Sequence, residues 1–365
     1  MRSRGLAEDE LFSFLLSVKE NDRRYRHVLS SMCTLPHPVA VRAMNLFIES
    51  NLGDPGLFEG TASLEALLVE RLGSLMHLPE ACGYATSGGT ESNLQAFRMA
   101  RRSAGVRSPN VVVPESAHFS FEKACDILSL EMRIASSDDG YRMDAEAAAD
   151  LTDKNTIALV GVAGTTEYGV VDPIAALSDL ASDRGTAFHV DAAFGGLVLP
   201  FLPDTPLFDF QLEGVTSISV DPHKMGMSTI PVGCLLTRDS SMLCSLNVDT
   251  PYLTVKQEFT LAGTRSGGAV AGALAVIEHL GRDGFTAVVE ECMANHHRLI
   301  DGMTALGYPV ITEPEVNVAA FDCPVTPEGW QVSHTRCGHM RIVCMPHITT
   351  TIIEEFLKDI GDMHV

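Results

Sequence analysis

The 365-residue chain predicts an α/β fold, a mostly parallel sheet flanked by helices and followed by a small C-terminal α+β domain. Three observations lead there. Between about residues 62 and 260, short β-rich runs alternate with helical stretches of roughly ten to fifteen residues, as βαβ units do. Those runs read as continuous apolar segments, which suits strands covered on both faces. From about residue 268 the texture changes to helices mixed with a few late strands.

The elements follow in order. Glu8 to about Val28 reads as an amphipathic helix, and the Pro- and His-rich loop LPHPVA leads to a second. NLGDPGLFEGT (51–61) is a turn-rich loop. Helical periodicity runs from Leu64 to Leu75, and TSGGTESN opens a helix to about Arg102. VVVP (111–114) is a buried strand, FSFEKACDIL a helix, EMRIA a strand, DAEAAADL a helix and IALVGVAG a strand. DPIAALSDLASDRG is a helix, AFHVDAAFG a strand running into a loop, and VTSISVD and VGCLLT are further strands. Helices at 268–280 and about 283–306 precede the strands VNVAAF and MRIVCMP and a last helix, 350–361. The expected organisation is an N-terminal helical segment and loop (1–61), a large domain (62–280) and a small α+β domain (281–365).

Composition narrows the function. With 45% hydrophobic residues the chain can bury a sizeable core. Twenty-six basic against 47 acidic residues give a net charge of −21, which argues against nucleic acid and anionic membranes as partners. The nine cysteines are scattered with no C-x-x-C pair, so a zinc knuckle is not expected and the thiols read as reduced, in a cytoplasmic protein. MRSRGLAEDELFSFLL turns acidic before any apolar run, unlike a secretory leader, and stretches such as IALVGVAG are too short to span a bilayer.

In such sheets ligands gather at the carboxyl ends of the strands, and the unusual polar clusters lie there. ATSGGTESN (85–93) places Gly88 and Gly89 before a helix. It is either an ordinary capped start, with Glu91 in the capping arrangement, or a phosphate cradle of backbone N–H groups. Asp191 in HVDAAFGG ends a strand; it either caps local amides or holds a positive partner such as a protonated ring nitrogen. His189, two residues away, does not complete a metal-ligand set, so no metal is expected. His118 in SAHFSFEKA either caps a helix or lays a flat ring on a planar cofactor. In SVDPHK, Lys224 is either a solvated lysine or an amine desolvated in a crevice, its pKa lowered so that it attacks a carbonyl. Together, a phosphate cradle, an acid for a ring nitrogen, a flat histidine and a nucleophilic amine are the parts that pyridoxal 5′-phosphate requires.

The order TSGGTESN, HFSFEKA, GTTEYG, HVDAAFGG, DPHKMG and GTRSG resembles the group II amino-acid decarboxylases among the fold-type-I pyridoxal-phosphate enzymes. LGDPGLF and MRIVCMPHIT resemble the archaeal branch of that family acting on L-tyrosine and L-aspartate, and the likeness spans nearly the whole chain. Glu59 departs from it, standing where a proline is expected. The resemblance implies that Lys224 carries the cofactor as a Schiff base, Asp191 pairs with the pyridine nitrogen and His118 stacks on the ring. It implies a phosphate site around Ser87, Gly88, Gly89 and His223, with Thr166 touching the ring oxygen or the substrate carboxylate. It implies a homodimer with sites at the interface, where Thr264 reaches the partner's phosphate and a loop tyrosine, here Tyr252, returns the proton to Cα. An aspartate side chain calls for a cation, with Arg265 and Arg341 as candidates; a tyrosine calls for an apolar slot, for which Leu57, Phe58 and Tyr252 serve. The products implied are tyramine for methanofuran and β-alanine for coenzyme A. The competing expectations are an aldehyde-releasing lyase of the sphingosine-phosphate type, which GTRSG also resembles, and a non-catalytic scaffold on the same fold.

Overall fold

A computed structural model describes residues 1–363; residues 364 and 365, the end of the expected small domain, lie outside the described residues. Seven strands form the main sheet: β1 (Cys82–Thr86), β2 (Asn110–Pro114), β3 (Glu131–Ala135), β4 (Thr156–Val162), β5 (Ala187–Asp191), β6 (Ser217–Val220) and β7 (Gly233–Thr237). Their order is β1-β7-β6-β5-β4-β2-β3. From β6 to β3 all neighbours run parallel, while β7 runs antiparallel to both β6 and β1. Strands β2, β4, β6 and β7 are buried at every residue; β2 and β4 accordingly read as near-continuous apolar runs, while β6 (SISV) alternates small polar and apolar residues yet is covered on both faces.

The helices are α1 (Glu8–Lys19), α2 (Pro38–Leu46), α3 (Glu59–Leu75), α4 (Gly89–Ala104), α5 (Ser120–Leu128), α6 (Ala145–Leu151), α7 (Ile174–Arg184), α8 (Ser240–Cys244), α9 (Gly267–Ala305) and α10 (Thr350–Asp362). The helix expected to reach Val28 ends at Lys19, where the polar run ENDRR offers no apolar face to continue it. Helix α3 starts inside the stretch read as loop, and Glu59 occupies its first turn, where a carboxylate favours the helix dipole. The two helices expected after 268 are joined end to end as α9, broken at Gly281 (φ 57°). Strand β1 went unread, because CGYAT mixes small and polar residues. Its Gly83 is required there: a Cβ would stand 2.2 Å from the Leu235 carbonyl oxygen of β7.

Two short strands, β8 (Val248–Asp249) and β9 (Gln257–Glu258), make an exposed hairpin. Beyond α9, β10 (Val318–Phe321), β11 (Ser333–His334) and β12 (Met340–Val343) form an antiparallel sheet in the order β10-β12-β11. The N-terminal segment joins it: Leu29 N–H donates to Gln331 and the Leu29 carbonyl accepts from Val343, so Leu29 is buried among Met303, Phe321 and Phe356. This ties residues 28–34 to the far end of the chain and sets them beside β12.

On α9, His296 is completely buried with neither ring nitrogen hydrogen-bonded among the described residues. Burial, helped by His297, pushes its pKa down to about 3 from an ordinary 6.5. The unfolded chain therefore binds a proton below about pH 6.5 that the folded chain refuses, so this contribution is complete above pH 6.5 and is lost as pH falls toward 3. Urea unfolding midpoints at pH 7 and 5 check it. His296→Leu should flatten the fall seen in the parent, and an equal fall in both would remove His296 from the acid response.

Candidate active site

The carboxyl ends of β1, β2, β4, β5 and β6 open onto one cavity of about 330 Å³. Each strand delivers a residue as it ends: Ser87 and Gly88 after β1, His118 after β2, Thr166 after β4, Asp191 at the tip of β5, and Asp221, His223 and Lys224 after β6. Eight of the residues expected at the site therefore share one space: Ser87, Gly88, Gly89, His118, Thr166, Asp191, His223 and Lys224.

Asp191 is buried and well held. It accepts from Asn93 Nδ2 at 2.8 Å, from the Ala193 amide at 3.1 Å and from the Ser219 hydroxyl at 3.1 Å. Burial raises a carboxyl, but Lys224, His189 and these donors outweigh it and keep Asp191 below its ordinary value, ionised. Asn93 was missed as a site residue. Its amide nitrogen faces Asp191, so its oxygen accepts from His189 Nε2 at 2.9 Å, leaving His189 Nδ1 to accept from Ser217 at 2.8 Å. His189, pushed down to about 4 by burial, is thus a neutral link in a satisfied network behind Asp191, not a ligand.

His118 accepts from the Ser120 amide at Nδ1, so its neutral ring carries the proton on Nε2, and burial lowers its pKa. This ring therefore satisfies the first amide of α5 and also lines the cavity. Before α4, Glu91 Oε2 reaches back past Gly88 to accept from the Ser87 amide (2.9 Å) and hydroxyl (2.8 Å). Gly89 differs from expectation: its amide donates to Asp221 Oδ2 at 3.1 Å and so is already engaged. Gly88, with φ 142°, leaves open the space a side chain would take, since a Cβ there would stand 3.1 Å from the His223 ring. His223 donates from Nδ1 to the Val232 carbonyl at 2.5 Å, and Thr90, also unforeseen, lines the same end.

Lys224 corrects the sequence reading. Burial does lower its pKa, but Asp221 and Asp191, with the 3.1 Å contact from Nζ to Asp221 Oδ2, override it and raise the amine above its ordinary value.

The remaining candidates lie elsewhere in the single chain. Thr264 and Arg265 line an adjoining cavity of about 480 Å³ that shares Ser87 with the first. Arg265 is held by Glu65, to which both terminal nitrogens bond, and by the Ala85 and Leu52 carbonyls, while its buried Nε has no partner among the described residues. Tyr252, 85% exposed, sits in the β8–β9 hairpin, which the Thr254 amide ties to Asp54 in the 51–58 loop. Phe58 flanks the start of α3, and neither Phe58 nor Tyr252 lines the Lys224 cavity. Arg341, buried in β12, gives Nε to the Thr166 carbonyl and Nη1 to Ser30 and Ser333, but Nη2 has no partner among the described residues. Nε and Nη2 share one edge of the guanidinium, so the free donor lies on the edge turned to Thr166, a cavity residue. Burial pushes Arg341 down to about 10, still a cation at neutral pH.

Residues 59–323 match the pyridoxal-dependent decarboxylase conserved domain. The chain belongs to that family. As a decarboxylase of this kind it uses pyridoxal phosphate, and the cradle at Gly88, the ionised Asp191 and the Lys224 amine fit that cofactor. It is 65% identical to a probable L-tyrosine/L-aspartate decarboxylase of Methanoculleus marisnigri, over 99% of both chains. It is 47% identical to a probable L-aspartate decarboxylase of Archaeoglobus fulgidus, over 96% of this chain and 98% of that one. Among solved structures it resembles a sphingosine-1-phosphate lyase of Burkholderia pseudomallei (TM-score 0.91, 28% identity, 99% of this chain and 91% of the other). The glutamate decarboxylase of Lactobacillus brevis shares the fold (TM-score 0.90, 23% identity, 100% and 94% covered). The fold is accordingly that of the fold-type-I pyridoxal-phosphate enzymes.

Proposed function

We propose that the decarboxylase acts on L-aspartate and L-tyrosine, releasing β-alanine and tyramine for coenzyme A and methanofuran synthesis. The observation that carries this is the shared cavity of Lys224 and Asp191; Arg341 does not line it but is the buried cation tied to Thr166 on its wall. The names of the relatives point the same way.

When bound, pyridoxal phosphate supplies an electron sink for the pair left on Cα as carbon dioxide departs. The chain's own residues do the rest. Lys224 holds the cofactor aldehyde carbon covalently. Asp191, kept ionised, holds a proton on the ring nitrogen. Gly88, Thr90 and His223 take the phosphate, and the neutral His118 offers a ring face. Arg341 takes the aspartate side-chain carboxylate through Nη2. Tyr252, on its exposed hairpin, is the proton donor for the partner's site in a homodimer. The exposed apolar residues Leu11, Phe12, Leu15 and Leu16 of α1 and Ile48 beside the second cavity support such an assembly. Nine free cysteines suit a reducing cytoplasm.

The test is a panel of the twenty amino acids scored for carbon dioxide and for aldehyde, with the sedimentation mass of the same sample. Carbon dioxide from aspartate or tyrosine at twice the 39.3 kDa chain mass is expected. Aldehyde release instead would favour the lyase reading, which the 28% identical lyase keeps in view. Arg341→Lys keeps the charge but loses the fork. It should cut kcat/KM for aspartate by about 10- to 100-fold, the scale of a charge-assisted hydrogen bond, and spare tyrosine. An equal loss for both substrates would take Arg341 off the side-chain carboxylate.

A further inference from the structure

Asp221 has no role in the scheme above, yet it is the acid in the cavity that directly contacts the Lys224 amine. It follows β6, its own amide donates to Ala193, and the side chain is 2% exposed. One oxygen, Oδ2, accepts from the Gly89 amide at 3.1 Å, meets Lys224 Nζ at 3.1 Å and lies 3.8 Å from His223 Nε2. The other, Oδ1, has no hydrogen-bond partner among the described residues. A buried carboxylate with an oxygen left over is costly unless a cation compensates it, and Lys224 is that cation.

The pairing is local in the chain and therefore firm. Asp221 and Lys224 are three residues apart across Pro222, and the Lys224 amide donates back to the Asp221 carbonyl at 3.0 Å. Oδ2 also reaches across to the first turn of α4, so one oxygen holds both the amine and the glycine turn. The other ionisable groups around the ammonium are Asp191, Cys33, His118 and His223. Of the two acids, Asp191 already has three donors of its own, whereas Asp221 has one amide and the lysine.

We propose that Asp221 is a positioning residue that holds Lys224 as an ammonium ion in the cofactor-free chain and yields it when the cofactor is captured. This rests on Lys224 being the covalent carrier. Capture needs the free amine: the ammonium gives one proton to solvent, the nitrogen lone pair bonds the aldehyde carbon, and one water leaves. Asp221 therefore opposes capture at low pH, and it aims the amine beside the glycine turn where the phosphate end would sit. Its counter-charge also spares the empty cavity an unpaired buried cation.

The experiment uses cofactor-free enzyme, so its outcome is independent of which amino acid the holoenzyme decarboxylates. Amine-specific acylation is pulsed across pH 6 to 11 (roughly the span around a free lysine's 10.4), and the Lys224 peptide is quantified by mass spectrometry. In the parent, half-maximal labelling of Lys224 should lie above that of an unstructured lysine peptide. In Asp221→Asn, which keeps an acceptor for the Gly89 amide, it should move down by about one unit or more, giving about tenfold faster labelling at pH 8. The rate of pyridoxal phosphate attachment at neutral pH, followed by absorbance, should rise with it. A folded variant with an unchanged labelling profile would mean that Asp221 is structural only and would overturn the proposal. If the variant does not fold, the parent decides alone, since half-maximal labelling at or below the peptide value also overturns it.

Discussion

Lys224→Ala should lose covalent cofactor attachment altogether, and carbon dioxide release should fall on the order of 10⁴-fold or more, the scale on which removing a covalent nucleophile acts. Among the described residues lining the cavity, Lys224 carries the only amine, the group that condenses with an aldehyde, and it lies there with Asp191. Removing it also strips the cation from two buried carboxylates, so a loss of activity alone would be ambiguous. Lys224→Arg removes the ambiguity: it keeps a positive charge for Asp221 and Asp191 but cannot condense. Borohydride reduction followed by peptide mass mapping is the measurement. The parent should carry the mass increment on the Lys224 peptide, and both variants should carry none. An increment on another lysine, or turnover surviving in either variant, would end the assignment.

Much of this site was legible because strands buried on both faces announce themselves. VVVP and IALVGV have no polar alternation, so the first polar cluster after each marks a strand end, and strand ends are where the cavity lies. What could not be read depended on partners far along the chain. Arg265 and Arg341 were equal candidates on local sequence. Glu65, 200 residues before Arg265, occupies one, while only carbonyls and a hydroxyl engage the other. Asn93 reads in sequence as part of a glycine turn, but its partner Asp191 is 98 residues away. The protonation of Lys224 escapes the sequence for a related reason. Burial follows from the sequence, but the sign of the shift is set by how close Asp221 and Asp191 stand, and no spacing in SVDPHK encodes that. Strand β1 escaped because CGYAT follows neither the apolar run of a buried strand nor a strict alternation. Its glycine answers the approach of β7, about 150 residues later in the chain.

Asp191→Asn should leave the fold and cofactor attachment in place yet lower kcat by about 10²- to 10³-fold, the scale of losing one preorganised electrostatic partner. The substitution preserves size, so the question it asks is about charge. Asp191 is ionised because Lys224, His189 and the donors from Asn93 and Ala193 outweigh its burial. That arrangement suits a carboxylate and nothing else: two N–H groups and one hydroxyl converge on its oxygens. An asparagine there keeps one acceptor and turns its own NH₂ toward a donor, and it offers no negative charge to a ring nitrogen. A ring nitrogen that loses its proton withdraws electrons less well, and the loss is felt when charge builds at Cα rather than when substrate binds. The effect should therefore appear in kcat with KM little changed. The far end of the network behind it, His189 and Ser217, does not line the cavity and gives an internal control. Ser217→Ala should cost stability through the unsatisfied His189 while leaving the kcat of the folded enzyme near the parent's. If Asp191→Asn behaved like Ser217→Ala, losing melting temperature and not kcat, then Asp191 would be a structural acid and the electron sink would have to be held by another group.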